Sequence, residues 1–128
     1  MGIFFALAGL GLFVSFNLYR GYILRAERDT LATLLQKARS QAIQNVGASP
    51  HGLKIEEQNF ILFRGVSYAA RNQTYDEAYE RQGTIIITGP TEIVFSPLLA
   101  STSNSLFTLA ENLQLFQITV NEQGAIVF

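Results

Sequence analysis

From Ile3 to Phe16 every residue is apolar or glycine except Ser15 (IFFALAGLGLFVSF). From Arg20 onward charges enter, and the apolar positions thin to a stripe. Leu31, Leu34, Leu35, Ala38 and Ala42 recur at i, i+3, i+4, i+7 and i+11, a spacing that puts them on one face of an α-helix. Arg28, Asp29, Gln36, Lys37, Arg39 and Gln44 mostly lie off that face. No proline occurs between Met1 and Asn45, so both stretches are expected in one helix. Asn45 and Gly47 would cap it, and Ser49-Pro50 would end it. At ~1.5 Å per residue such a helix reaches roughly 65 Å, too long to pack throughout against a body this small.

Past Pro50 the period changes to two. His51–Glu56, Phe60–Phe63, Thr84–Thr88, Glu92–Ser96, Leu106–Leu109, Leu113–Val120 and Ala125–Phe128 are read as short strands separated by turn residues. The first two should form a hairpin across Glu57-Gln58-Asn59. Tyr68 to Gln82 is polar without clear alternation and is read as mostly loop. The apolar phase shifts near Phe116, which suggests a β-bulge. Short turns favour antiparallel pairing. The expected fold is α+β: a long N-terminal helix, apolar then amphipathic, packed through Leu31, Leu34, Leu35, Ala38 and Ala42 on a small antiparallel β-sheet domain. The chain divides into an apolar helix half (residues 1–24), an amphipathic helix half (25–46) and a β-rich globular part (47–128).

The apolar half reads as a membrane-embedded or filament-packing segment. Fourteen residues apolar on every face need lipid or surrounding protein. A full span takes about 20, so Leu18, Tyr19, Tyr22, Ile23 and Leu24 would have to contribute. There is no basic region before the run and no clear small-x-small cleavage site, which argues against a cleaved secretory signal. Gly2, Ala6 and Gly9 fall on one face and allow close helix–helix approach in lipid. Phe5 and Phe13 are assigned to the same lipid and helix contacts.

Composition narrows the chemistry. The 128 residues carry 9 basic and 10 acidic side chains, a formal net charge of -1 that points to neither nucleic acid nor an acidic substrate. There is no Cys, which excludes disulfides and thiolate metal sites, and only one His. His51, directly after Pro50, is read as a surface or turn residue. Asp76, Glu77 and Glu80 match no metal-ligand loop and are read as a solvated acidic cluster. Tyr68, Tyr75 and Tyr79 lie near Arg71 and Arg81, a combination that can stack on single-stranded nucleic acid, but the neighbouring acids offset the charge. No phosphate loop, nucleophile elbow or zinc-helix motif is present. Neither an enzyme nor a cofactor is expected.

Three stretches carry a resemblance. The helix runs into Lys37-Ala38-Arg39-Ser40-Gln41-Ala42-Ile43, a hairpin-like HGLKIEEQNFILFRG follows, and EIVFSPL is later followed by ITVNEQGAIVF. In this order they resemble type IV pilin-like proteins, within them the H-type pseudopilins and minor pilins (the GspH/FimT family). The resemblance implies a structural subunit of a type II secretion pseudopilus or a type IV pilus, assembling through its N-terminal helix. Its implied partners are other pilin or pseudopilin subunits, the inner-membrane assembly machinery and membrane lipid. Its implied location is the bacterial inner membrane, single-pass, with the C-terminal part on the non-cytoplasmic side. A membrane-anchored binding module, such as a DNA-uptake minor pilin, is the alternative. A third reading is an unrelated single-span protein whose small β-domain has a regulatory role. The family's processing segment, a Gly followed by Phe-Thr-Leu-x-Glu, has no counterpart here, so Met1 is expected to stand inside a pilin helix, about ten residues past the cleavage point. Arg20, Arg25 and Arg28 would be cytoplasmic by the positive-inside rule, opposite to the family's orientation. A basic leader ahead of Met1 would restore agreement.

Overall fold

In the computed structural model, residues 2–81, 84–111 and 113–128 are described, with helix side chains described from Tyr22 onward. One helix, α1 (Gly2–Ile43), precedes eight strands: β1 (His51–Ile55), β2 (Asn59–Arg64), β3 (Glu77–Glu80), β4 (Ile86–Thr88), β5 (Glu92–Phe95), β6 (Ser105–Glu111), β7 (Gln114–Val120) and β8 (Ile126–Val127). They form two four-stranded antiparallel sheets, ordered β3-β2-β1-β5 and β4-β6-β7-β8. The fold is therefore α+β, with two sheets where the pattern suggested one.

The helix touches both sheets: β1, β2 and β5 of the first, β6, β7 and β8 of the second. Its stripe begins earlier than Leu31. Leu24, Leu31, Leu34, Leu35, Ala38 and Ala42 are all buried, as is Ala32. The strands meet them through alternating positions. Leu53 and Ile55, Phe60 and Leu62, and Ile93 and Phe95 come from the first sheet. Phe107 and Leu109, and Ile118 and Val120, come from the second. The helix and both sheets therefore contribute to one core.

The helix ends where Asn45 takes a left-handed conformation (φ 53, ψ 39) and its N–H returns to the Ala42 carbonyl at 3.0 Å. Leu98 N–H donates to the same carbonyl at 2.8 Å, so the chain between β5 and β6 also closes the helix terminus.

Two expectations need correction and one needs an addition. The Tyr68–Gln82 stretch is mostly loop among its described residues, but Glu77–Glu80 forms β3 and pairs with β2 from Asn59↔Glu80 to Leu62↔Glu77. Only half-buried Tyr79 in that strand faces the core, so its alternation is nearly silent, and acidic side chains suit a sheet edge. No bulge occurs at Phe116, since β6 and β7 pair without interruption from Ser105↔Val120 to Glu111↔Gln114. The shift in phase arises because Leu113 and Leu115 point to solvent while Phe116, Ile118 and Val120 point inward. His51 is not a surface residue. It is buried, and its Nε2–H donates to the Val46 carbonyl at 2.8 Å.

Candidate functional site

The candidate site is the helix itself and the way the sheets hold it. Leu31, Leu34, Leu35, Ala38 and Ala42 sit in the shared core, at 0–4% exposure. Gly2, Phe5, Ala6, Gly9 and Phe13 belong to the helix half whose side chains lie outside the described residues. Among the described residues, no helix is long and apolar enough to cross a membrane. The run Ile3–Phe16 lies outside that set.

Two polar contacts fasten the seated half. Glu27 is buried on the same face as the stripe, one turn from Leu24 and from Leu31. Its carboxylate lies 3.9 Å from the Arg81 guanidinium, also nearly fully buried. Arg81 further donates to the carbonyls of Glu56 (2.5 Å) and Ile85 (3.0 Å) and lies over the Phe60 ring at 5.4 Å. It thus ties α1 to the turn after β1 and to the approach to β4. Nearer the helix end, Lys37 donates to Glu77 Oε2 at 2.7 Å and to the Tyr79 hydroxyl at 3.2 Å. Those hydrogen bonds raise the Lys37 pKa, the one to Glu77 contributing most, and the Lys37 bond holds Glu77 below the ordinary carboxylate value.

The aromatic and charged residues of the segment after β2 are engaged with one another. The Arg71 guanidinium lies 3.7 Å from the Tyr68 ring centre and donates to Asp76 Oδ2 at 2.8 Å. Tyr68 meets the Phe63 ring edge-on at 5.7 Å, and its hydroxyl donates to Glu56 at 3.0 Å. Burial, followed by the Glu56 bond, raises the Tyr68 pKa. Arg64 stacks on Tyr75 at 3.7 Å. These tyrosine faces are already occupied by cations of the same chain, so they do not form an open platform for bases. The segment instead seals the outer face of the first sheet, where it covers Phe63. Gly52 makes room there: a Cβ on it would lie 2.5 Å from both the Phe63 ring and the Ile93 carbonyl. Among the described residues, no group of three acidic or histidine side chains could hold a metal ion. A small polar cavity of about 240 Å³ lies between His51, Arg64, Tyr75 and Glu77.

The sequence pattern does not pair Glu27 with Arg81, although it carries a signal. Glu27 occupies the stripe's own phase, between Leu24 and Leu31, where a charge demands a partner. Which of the nine cations supplies it is not legible from spacing.

The class defined by this geometry is an α+β protein whose long helix is a shared wall of two antiparallel sheets. Compared with family models, curated proteins and solved structures, the chain gives no match.

Proposed function

We propose that the protein is a structural subunit of the pilin type, a pseudopilin or minor pilin, anchored by its apolar helix half and assembling through it. The observation that carries this reading is a mismatch of lengths. α1 has 42 residues, about 63 Å at 1.5 Å per residue. The longest strands, β6 and β7, have seven residues each, about 23 Å at 3.3 Å per residue. A helix nearly three times as long as the sheets that seat it has a large remainder for another medium or another chain. The sequence of that remainder, apolar on every side with Gly2, Ala6 and Gly9 on one face, suits lipid and close helix packing. On this reading the β-layers sit outside the cytoplasm and present contact surfaces to neighbouring subunits. A DNA-binding role is less well supported, because the arginine–tyrosine pairs that suggested it are stacked within the chain.

The test uses the absence of native Cys. A single cysteine is placed at Ala6 in the full chain, and bacterial membranes are washed with alkaline carbonate and treated with a thiol cross-linker. The chain should stay with the membranes and cross-link through Ala6→Cys, and Gly9→Leu should reduce that cross-link while leaving the β-layers protease-resistant. Release of the chain by carbonate would sink the proposal.

A further inference from the structure

The two sheets differ in what stands on their outer faces. On the first, Lys54 and Glu92 point outward beside Ile61 and Phe63, and the chain covers that face itself. The Tyr68 N–H donates to Glu92 at 2.9 Å, its ring meets Phe63 edge-on, and Lys54 lies over the ring at 5.4 Å. The second sheet is bare outside. Its register puts Thr88, Thr108 and Gln117 in one outward row across β4, β6 and β7. The rows on either side carry Ile86 and Leu115, and Leu106 and Val127. These four aliphatic side chains are 48–67% exposed, and no charged residue stands in the three rows. The solvated face of an antiparallel sheet is ordinarily polar, so this face is built to be covered.

At these exposures the three rows present roughly 600 Å², most of it carbon, the upper limit for the largest patch on an ordinary monomer. Two such faces packed together would bury about 1,200 Å², the size at which stable, specific interfaces begin. We propose that the outer face of the second sheet packs against the same face of a second copy of this chain, about a twofold axis. The two sheets would lie about 10 Å apart, as in a sandwich. The polar groups select this occupant. Each threonine hydroxyl and the Gln117 amide both donates and accepts a hydrogen bond, so each can pair with its own copy across the axis. A carboxylate or ammonium in the same rows would meet its like, and there is none. A partner that carries charges, such as a nucleic acid, would bury them against a face that offers no counter-charge. Thr108 and Gln117 are opposite one another in the middle row, so the axis passes near them.

This pairing does not depend on how the helix assembles. The test uses the full chain, which has no native Cys. Two forms that differ by a tag are expressed together in bacterial cells, each with Gln117→Cys, and treated with a short permeant bismaleimide. Links within and between the forms should give three adducts. Their yield should be at least about tenfold above that of Glu57→Cys, an exposed turn position on the first sheet. Thr108→Lys in both forms, or Thr108→Glu in both, should lower the yield at least about tenfold by setting like charges together. Thr108→Lys in one form and Thr108→Glu in the other should restore the link between unlike forms, which neither misfolding nor a different occupant would do. Four results overturn the proposal: equal yields from Gln117→Cys and Glu57→Cys, a link to a different protein in place of the second copy, no recovery in the mixed Lys and Glu pair, or a link that disappears with Gly9→Leu. The last would make the contact a by-product of helix packing. A Gln117 link that survives Gly9→Leu while the Ala6→Cys link is lost separates the two contacts and supports this one.

Discussion

Replacing Arg81 by Met tests how the helix is fastened. The Glu27–Arg81 separation of 3.9 Å corresponds to an attraction of about 4 kcal/mol at an effective dielectric of about 20. Desolvation of the two groups offsets much of that, so the pair adds little net stability over an apolar pair. Removing one partner is different. Arg81→Met takes the guanidinium away from a buried carboxylate and also bares the carbonyls of Glu56 and Ile85. The expected loss is about 3–5 kcal/mol, against a total stability of about 5–16 kcal/mol for a folded unit of roughly 105 residues. Glu27→Leu should cost a similar amount by leaving a buried cation. In the double variant Glu27→Leu/Arg81→Met neither charge remains, though the two bared carbonyls still count against it at about 1–3 kcal/mol each. The double variant should therefore lose less than the sum of the two single losses. Urea unfolding of the full chain in mild detergent measures this through tyrosine fluorescence, since there is no Trp. If both single variants unfold within about 0.5 kcal/mol of the parent and the cycle shows no coupling, the contact does not fasten the helix and the reasoning fails.

Other perturbations follow from the same packing. Leu35→Ala, at a fully buried stripe position, should lower stability by about 2–5 kcal/mol, whereas Leu113→Ala, fully exposed at the β6–β7 turn, should stay within about 0.5 kcal/mol; equal urea midpoints for the two would remove the helix from the core. Gly52→Ala should cost about 1–3 kcal/mol, because its Cβ would meet the Ile93 carbonyl and the Phe63 ring at 2.5 Å, and an unchanged midpoint would show that β1 and β5 yield easily. The Lys37–Glu77 bridge has a sign that pH can read. Glu77 is lowered from 4.5, so its contribution is present above that value and fades as pH falls through the folded pKa. Lys37 is raised from 10.5, so its contribution is present below that value and fades as pH rises through the folded pKa. Both side chains are more than one-third exposed (41% and 46%), so Lys37→Met should cost only about 0–1 kcal/mol near neutrality. That difference should fade as pH falls through the folded Glu77 pKa, and its persistence in acid urea titrations would point to packing of the lysine stem instead.

Strong periodicity makes an element legible in the residue pattern alone. The helix stripe repeats over twelve residues, Leu31 to Ala42, and the hairpin of β1 and β2 alternates cleanly around a polar turn. Where pattern and fold diverge, the periodic signal is weak or the cause is a tertiary contact. β3 shows one inward residue in four, so no period can mark it. Leu113 and Leu115 are apolar yet exposed, and this imitates a bulge. The split into two sheets rests on which strands share an edge, and that is fixed by non-local pairing such as β1 with β5. His51 illustrates the same limit: only the fold-back of Val46 gives its buried ring an acceptor.

The seated helix also bears on what the other half can do. Leu24 to Ala42 span about 27 Å of helix, close to the roughly 23 Å of the seven-residue strands β6 and β7. The described core therefore matches the sheets in length and is filled by helix residues from Leu24 onward. Helix and sheets are held in register by Glu27–Arg81 near one end of this stretch and by the Leu98 N–H on the Ala42 carbonyl at the other. A helix pinned at both ends of its seat cannot slide to bring earlier residues into the core without breaking one of these contacts. On the pilin-type proposal, the apolar residues before Arg20 would be the part given to lipid or neighbouring helices.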